Sequence, residues 1–322
     1  MDSIAKTIGL DFERVRQHLP WVTLVLLILV VGLADANFLK PQNLIGMAAD
    51  IVPLFIMAMG LTFAIYIGGI DLSAQSVANM TTVIATVSLA TFGIGAALIC
   101  IFFGAVLGGV SGFVTTRLLV PSFVSTLAIG GVAFSIGEWL SGQRALYMDA
   151  TMRDNAFGWM VGNTAGIPHE IFIGGVLLVG AWFLQSRTTF GRALKAIGAG
   201  ELAAVASGLN VDRIKIMAFA LSGAFAAIAG LLFAVKLSGG SPTIANGFLL
   251  PAIVAVLVGG TPLTGGVGGV INTLIGTLIV AVIRSSMLYF EIDATKQQMV
   301  FGIILIVAIA VTIDRSKLSV VK

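Results

Sequence analysis

The sequence predicts an all-α integral membrane protein built from about ten transmembrane helices. Three features of its composition support this prediction: 58% of its 322 residues are hydrophobic, only 10% are charged, and the mean hydropathy is +1.06. A soluble globular domain carries about 25% charged residues, so this chain has too few to cover a surface that faces water. Its 39 glycines suit helices that approach one another closely in lipid.

The positions of the charged residues mark the predicted helices in order. A bilayer core about 30 Å thick is crossed by roughly 20 apolar residues in a helix. Six of the stretches without charge fit one helix each, whereas 72–116 and 237–283 are long enough for two, with breaks expected near Phe92–Gly95 and Gly259–Gly269. The complete set is 17–34, 51–70, 72–116, 118–137, 171–186, 216–235, 237–283 and 297–313.

The basic residues predict the orientation of these helices. With both termini in the cytoplasm, the cytoplasmic segments are 1–20, near 70, near 117, 187–215, near 262 and 314–322. They hold 12 of the 18 Lys and Arg residues, which is the bias that the positive-inside rule requires: Lys6, Arg14, Arg16, Arg117, Arg187, Arg192, Lys195, Arg213, Lys215, Arg315, Lys317 and Lys322. The pI of about 9.2 is therefore explained by orientation, and no nucleic-acid partner is expected.

The whole chain, 1–322, is predicted to form a single transmembrane domain with a cytoplasmic N-terminal segment, 1–20. Its two larger hydrophilic stretches are 138–170, expected outside, and 186–215, expected inside. In the second, good helix formers from Glu201 to Ser207 precede Gly208, which predicts a short helix that ends there. The stretch is either an ordinary amphipathic loop or a helix that docks on a partner.

Asp71 is the most informative residue of the membrane region. It follows Gly68 and Gly69, precedes Ser73, and lies between two apolar runs. A carboxylate at the centre of a membrane helix costs about 2.5–3.5 kcal/mol, so it needs water, a partner or a broken helix end. Asp71 and Ser73 are therefore either part of a polar break on a translocation path or an ordinary turn, with Asp71 as N-cap of the next helix.

Further polar residues follow on the next predicted helix. Gln75, Asn79 and Thr82 either line a path for a neutral, hydroxyl-rich solute or form hydrogen bonds between helices. Residues 67–86 align without gaps on 258–277. In the second segment, Thr261 and Thr264 likewise either line the path or form hydrogen bonds between helices. Three glycine pairs in these two segments are predicted helix breaks: Gly68 and Gly69, Gly259 and Gly260, Gly265 and Gly266.

No enzyme chemistry is visible in the sequence. The chain has no G-x-x-x-x-G-K-[ST] motif, so we expect no ATP site of the P-loop type. With two histidines and one cysteine, Cys100, a metal site is not expected.

Several motifs occur in the order found in one family of membrane proteins. They include Asn37-Phe38-Leu39, Gly60-Leu61-Thr62-Phe63, GGIDLS at 68–73, Ser125-Thr126-Leu127, Gly191-Arg192, Ser222-Gly223, GGT at 259–261 and GGVG at 265–268. In these residues the chain resembles the ribose/xylose/galactose-type permeases of bacterial ATP-binding-cassette (ABC) importers, over roughly residues 37–314.

The resemblance implies a multi-pass permease of the bacterial inner membrane, surrounded by lipid, that imports a sugar. Its expected partners are a cytoplasmic ABC ATPase, which would bind ATP and Mg²⁺, a second permease copy or paralogue, and a periplasmic sugar-binding protein. Segment 186–215 then resembles the loop that couples the permease to the ATPase. The residues implied in coupling are Gly191, Arg192, Glu201, Ala203, Ala204 and Gly208, with Glu201 and Arg192 in docking contacts.

One departure from the family pattern bears on assembly. The acidic pair that usually precedes the glycine block is absent, since residues 247–251 read Gly-Phe-Leu-Leu-Pro. This raises the hypothesis of a heterodimer whose other permease keeps the acidic residues. The alternatives in function are a secondary transporter or facilitator, and an ABC permease for nucleosides or amino acids.

Overall fold

The computed structural model describes residues 12–289 and 291–312 of the chain, and most of these residues are helical. The first seven helices are α1 (Phe12–Ala34), α2 (Pro41–Asp50), α3 (Val52–Tyr66), α4 (Ala74–Phe92), α5 (Ala96–Arg117), α6 (Ser122–Ser141) and α7 (Ala150–Phe157). The others are α8 (His169–Arg187), α9 (Thr189–Ala199), α10 (Glu201–Ala206), α11 (Val211–Lys236), α12 (Leu249–Val258), α13 (Val270–Tyr289) and α14 (Ala294–Thr312). The predicted N-terminal segment is described only from residue 12, and Lys6, Arg315, Lys317 and Lys322 lie outside the described residues.

The prediction of a helical membrane protein is confirmed. Within the described residues, five helical stretches are long and apolar enough to cross a membrane, or six if α2 and α3, bent by 48° at Ile51, count as one span. Every predicted charge-free stretch contains a helix. Large apolar side chains such as Leu33, Leu98 and Val176 are exposed on the outer faces of these helices, where a soluble protein would place polar groups.

Helices α4 and α5 form an antiparallel hairpin. A short 3₁₀ turn, Gly93–Gly95, separates them, and Gly93 has a φ of 52°. The Cys100 thiol on α5 lies 3.5 Å from the Thr81 carbonyl oxygen on α4. Residues 19 positions apart cannot meet in one straight helix, so the chain reverses at the turn.

The core lies around α3 and α11. Every residue of α3 is buried, as expected for a helix that is apolar on all sides and surrounded by others. Helix α11 packs against α3, α4 and α5. Its contact with α5 is close, because a Cβ added at Gly108 would come within 3.0 Å of the Phe219 carbonyl oxygen. Small residues at this crossing let the two backbones approach as membrane helices do.

The connecting segments gather at two ends of the bundle. At one end, the Gly266 amide donates a 2.8 Å hydrogen bond to the Tyr66 carbonyl, and Arg117 pairs with Asp212 at 3.3 Å. We call this end of the bundle the 186–215 end, after the segment that lies there. At the opposite end, Lys236 pairs with Asp50 at 2.8 Å.

The few strands are two residues long. β1 (Leu146–Tyr147) pairs antiparallel with β4 (Gly239–Gly240), which ties the 142–149 loop to the segment after α11. β2 (Asn163–Thr164) and β3 (Ile167–Pro168) form a small hairpin before α8. These strands close the loops and do not contribute a sheet to the core.

Candidate translocation pathway and docking segment

Asp71 is 1% exposed, and hydroxyl and amide groups of the chain bond its carboxylate. Its Oδ1 accepts hydrogen bonds from the Ser73 amide at 2.8 Å and the Ser73 hydroxyl at 2.6 Å. Its Oδ2 accepts one from the Ser222 hydroxyl on α11 at 2.6 Å. The N-cap of α4 is Ser73, so Asp71 precedes the helix and joins its start to α11.

The backbone around Asp71 forms neither helix nor strand, and side chains of α6 bond it. The Ser122 hydroxyl accepts from the Ile70 amide at 3.0 Å, and the Thr126 hydroxyl accepts from the Leu72 amide at 3.0 Å. Buried backbone groups need such partners wherever a helix is interrupted. The segment 67–73 is therefore held between α6 on one side and α11 on the other.

The polar side chains of α4 hold the segment before α12. Gln75 Oε1 accepts from the Gly247 amide at 3.0 Å, and Asn79 Oδ1 accepts from the Ala245 amide at 2.6 Å. The Asn79 side-chain amide also donates to Asn246 Oδ1 at 2.8 Å. Thr82 exchanges hydrogen bonds with the backbone of Ser241, each 3.0 Å long. Segment 239–248 thus lies along the polar face of α4.

The six predicted helix-break glycines lie outside the helices, in two loops at the 186–215 end. One loop, 67–73, follows α3, and the other, 259–269, connects α12 with α13; we call them the two glycine loops. The loops touch, because a Cβ on Gly265 would come within 3.0 Å of the Gly68 amide nitrogen. The two segments that resemble each other in sequence are therefore neighbours in space.

The two predicted threonines of the second loop differ in environment. Thr261 is fully buried, and its hydroxyl accepts a 2.9 Å hydrogen bond from the Gly269 amide. Thr264 is exposed, while its carbonyl oxygen faces Gly68. The predicted pathway residues thus form two groups: Gln75, Asn79 and Thr82 along α4, and Asp71, Ser73, Thr261 and Thr264 in or beside the two loops.

Segment 186–215, which we call the docking segment, contains two helices, α9 and α10. Helix α9 buries Phe190, Leu194 and Ile197 against the bundle. Helix α10 buries only Ala204 and ends before Gly208, which has a φ of 83°. Its outer side presents two large apolar side chains, since Leu202 is 88% exposed and Val205 is 56% exposed.

Some of the predicted coupling residues contact the helix bundle, and others are exposed. Glu201 is paired with Lys215 of α11, at 2.6 Å between Nζ and Oε2, which fixes the start of α10 on the bundle. Arg192 and Ala203 are exposed. Gly191 is buried where α9 folds back on α8, so close that a Cβ would come within 3.0 Å of the Gln185 carbonyl oxygen.

Several residues of this arrangement had no predicted role. Ser222 and Thr126 belong to motifs that the sequence analysis quoted, but their hydrogen bonds to segment 67–73 were not foreseen. Asn246 lies among turn residues and apolar residues. An isolated amide in such a stretch is the sequence feature that could have identified it. Gln185, in the last turn of α8, accepts a 2.9 Å hydrogen bond from the Val270 amide. No feature of the sequence around Gln185 indicates this contact.

A bundle of apolar helices with interrupted polar segments and a helical extension at one end defines a polytopic membrane permease. Residues 43–309 match the family described as the permease component of the branched-chain amino acid transport system, and the chain belongs to this family.

Curated relatives are similar over nearly their whole length. The ribose import permease protein RbsC of Escherichia coli (strain K12) is 31% identical over 293 residues, which cover 90% of this chain and 91% of the relative. RbsC of Bacillus subtilis (strain 168) is 32% identical and covers 96% of both chains. The xylose transport system permease protein XylH of E. coli (strain K12) is 28% identical, covering 85% of this chain and 86% of the relative. No solved structure matches the chain.

Proposed function

We propose that the chain is the membrane-spanning permease subunit of an ATP-driven importer that moves a sugar or sugar-like solute across the bacterial inner membrane. The observation that carries this proposal is the similarity, over nearly the full length, to relatives named for ribose and xylose transport. A permease of this class leaves ATP and Mg²⁺ to a separate cytoplasmic ATPase and receives its solute from a periplasmic binding protein.

The finer topology is part of the proposal. Among the helices that the structure describes we count ten spans: α1, the bent pair α2 and α3, then α4, α5, α6, α8, α11, α12, α13 and α14. Both termini then lie in the cytoplasm, on the side of the 186–215 end. Helix α12 is short, and its span is completed by segment 239–248, which lies along α4. Short or broken helices near a solute path are a recurrent feature of transporters.

Helix α10 is the proposed docking surface for the ATPase. A membrane protein that exposes Leu202 and Val205 on a helix outside its bundle needs an apolar partner surface to cover them. Arg192, Lys195 and Arg213 are exposed in the same segment, 186–215, and favour acidic groups on the partner. Gly191, Ala203, Ala204 and Gly208 would set the shape of this segment, and Glu201 its attachment to α11.

The polar face of α4 is the proposed wall of the translocation path. Gln75, Asn79 and Thr82 carry uncharged groups that suit a neutral, hydroxyl-rich solute. They hold segment 239–248 through hydrogen bonds that a solute hydroxyl can replace. Asp71, Ser73, Thr261 and Thr264 lie in or beside the two loops at the inner end of this path.

A second candidate solute class is favoured by one observation, the family description that names branched-chain amino acids. A direct uptake test separates the two classes. Cells that lack the chain, with and without a plasmid that supplies it, are given radiolabelled ribose, xylose and leucine. Restored uptake of a pentose alone supports the sugar importer, and restored uptake of leucine alone overturns the sugar assignment.

The partner proposal is tested by purification in a mild detergent from native membranes, followed by mass spectrometry. A P-loop ATPase should be present in stoichiometric amount and should be lost in Leu202→Asn. Leu118→Asn is the matched control, since Leu118 is 61% exposed but lies outside the docking segment. A second, different permease in the sample would establish the heterodimer. A chain that purifies alone and moves solute without ATP would instead be a secondary transporter.

A further inference from the structure

Three segments of the chain meet around one backbone carbonyl group at the 186–215 end. The Tyr66 carbonyl, at the last residue of α3, accepts a 2.8 Å hydrogen bond from the Gly266 amide in the α12–α13 loop. Gly198 of α9 faces the same carbonyl: a Cβ on Gly198 would come within 3.0 Å of both the Tyr66 oxygen and the Gly266 nitrogen. The docking segment therefore touches the end of α3 and the 259–269 loop, and the nearest atoms at this contact belong to the backbone.

The loop side of this contact also leaves no space for a side chain. Gly266 has a φ of 76°, a conformation that residues with a Cβ rarely adopt, and a Cβ there would come within 3.0 Å of the Gly198 carbonyl group. Contacts between backbone atoms have no side-chain rotamers that can absorb a displacement. A shift of α9 must therefore move Tyr66 and Gly266 with it or break the contact.

A second contact joins the end of α8, next to the docking segment, with the start of α13. Gln185, in the last turn of α8, leads directly into the docking segment, and its Oε1 accepts a 2.9 Å hydrogen bond from the Val270 amide at the start of α13. This bond satisfies one of the free amides that every helix start presents. The docking segment is thus linked to the 259–270 region both through Gly198 and through Gln185.

We infer that this junction, formed by Gly198, the Tyr66 carbonyl, Gly266 and Gln185, transmits the movement of the docking segment to the two glycine loops. The inference rests on the proposed ATP-driven import. Helix α9 acts on the end of α3, and hence on the segment that holds Asp71. At the same time it acts on the loop that leads into α13. Elements that are closely packed and have two arrangements can pass on such shifts. Gly198 and Gln185 are positioning residues, since neither is placed on the solute path.

The test compares two alanine substitutions in the same segment. Gly198→Ala inserts a methyl group into the junction. Gly200→Ala is the matched control, because its Cβ would meet nothing nearer than the Ala203 Cβ at 3.9 Å and its φ of 174° suits any residue. Three quantities are measured for each variant: pentose uptake by complemented cells, co-purification of the ATPase, and ATP hydrolysis by the purified complex.

Gly198→Ala should lower uptake roughly tenfold while the ATPase still co-purifies and hydrolyses ATP, whereas Gly200→Ala should match the unaltered chain. Equal uptake by the two variants would overturn the inference, and so would loss of the ATPase together with uptake. If the unaltered chain itself shows no bound ATPase or no uptake, the proposed function fails instead.

A second variant covers the case in which Gly198→Ala does not accumulate in the membrane. Gln185→Ala adds no atoms and removes the hydrogen bond to Val270 together with the side-chain hydrogen bond to Tyr66. It should lower the amount of pentose taken up per ATP hydrolysed by only about threefold, because the Gly198 contact remains. An unchanged ratio in Gln185→Ala would refute the transmission role of the junction.

Discussion

Ser222 donates a 2.6 Å hydrogen bond to the carboxylate of Asp71, and this bond joins α11 to the segment that precedes α4. The two residues are 151 positions apart, and both are 1% exposed. A buried carboxylate is tolerated only where hydrogen bonds replace its water. The bond therefore holds together two parts of the core that the chain itself does not connect closely.

Ser222→Ala should destabilise the protein by about 1–3 kcal/mol, because Asp71 Oδ2 would lose its buried donor. Thermal unfolding of the chain in detergent measures this loss. Ser88→Ala is the control, since among the described residues that hydroxyl bonds only the Ile84 carbonyl of its own helix. Equal unfolding temperatures for the two variants would contradict the prediction.

Gly108→Ala should destabilise the crossing of α5 and α11 by about 1–3 kcal/mol, because the added methyl group would overlap the Phe219 carbonyl. Gly109→Ala is the neighbouring control. Its Cβ would meet the Ala220 Cβ at 3.7 Å, an ordinary contact, and alanine favours a helix over glycine by about 1 kcal/mol. We expect opposite shifts in unfolding temperature, and a Gly108→Ala variant as stable as Gly109→Ala would show that the helices separate readily.

Lys236→Met should destabilise the opposite end of the bundle because Glu170 would keep a buried charge without a counter-ion. Glu170 is 5% exposed, its Oε1 lies 3.8 Å from Lys236 Nζ, and its Oε2 has no hydrogen-bond partner among the described residues. Breaking a buried ion pair on one side costs about 3–5 kcal/mol. Neutralising the remaining charge should recover much of that loss, so Lys236→Met combined with Glu170→Gln should unfold at a higher temperature than Lys236→Met alone.

The helices could be predicted from the sequence because lipid leaves a strong constraint. A segment that crosses a membrane must satisfy its backbone internally and can carry few charges, so the charge-free stretches mark helices directly. The length of α12 could not be predicted in this way. Segment 239–248 carries no charge and so belongs to the same charge-free stretch, but Gly239, Gly240 and Pro242 interrupt the helix there, and Asn79 and Thr82 bond the backbone of the segment instead.

The partners within the candidate site could not be predicted for a different reason. Asp71, Gln75 and Asn79 stood out because polar groups are costly in a membrane helix, which indicates that partners exist but not where they lie. Asn246 is 167 positions from Asn79, and no periodicity connects them. Only packing of α4 against the segment before α12 brings the two amides together.

The ion pair between Glu201 and Lys215 attaches the start of α10 to α11. Lys215 Nζ lies 2.7 Å from Oε1 and 2.6 Å from Oε2 of Glu201, so both carboxylate oxygens are engaged. Glu201 is half exposed, and a pair of this kind contributes only about 0.2–1 kcal/mol, so its loss should hardly change the unfolding temperature. Uptake should respond more strongly, because α10 has few other buried contacts with the bundle.

Glu201→Lys and Lys215→Glu should therefore each reduce pentose uptake, while the double variant that exchanges the two charges should restore most of it. Restoration is expected because the exchanged pair can form the same contact and hold α10 on α11. If Glu201 instead acts mainly by touching the ATPase, the double variant will transport as poorly as Glu201→Lys, since its lysine would meet the partner in the same place. Measuring uptake and ATPase co-purification for all three variants distinguishes attachment of the docking helix from direct recognition of the partner.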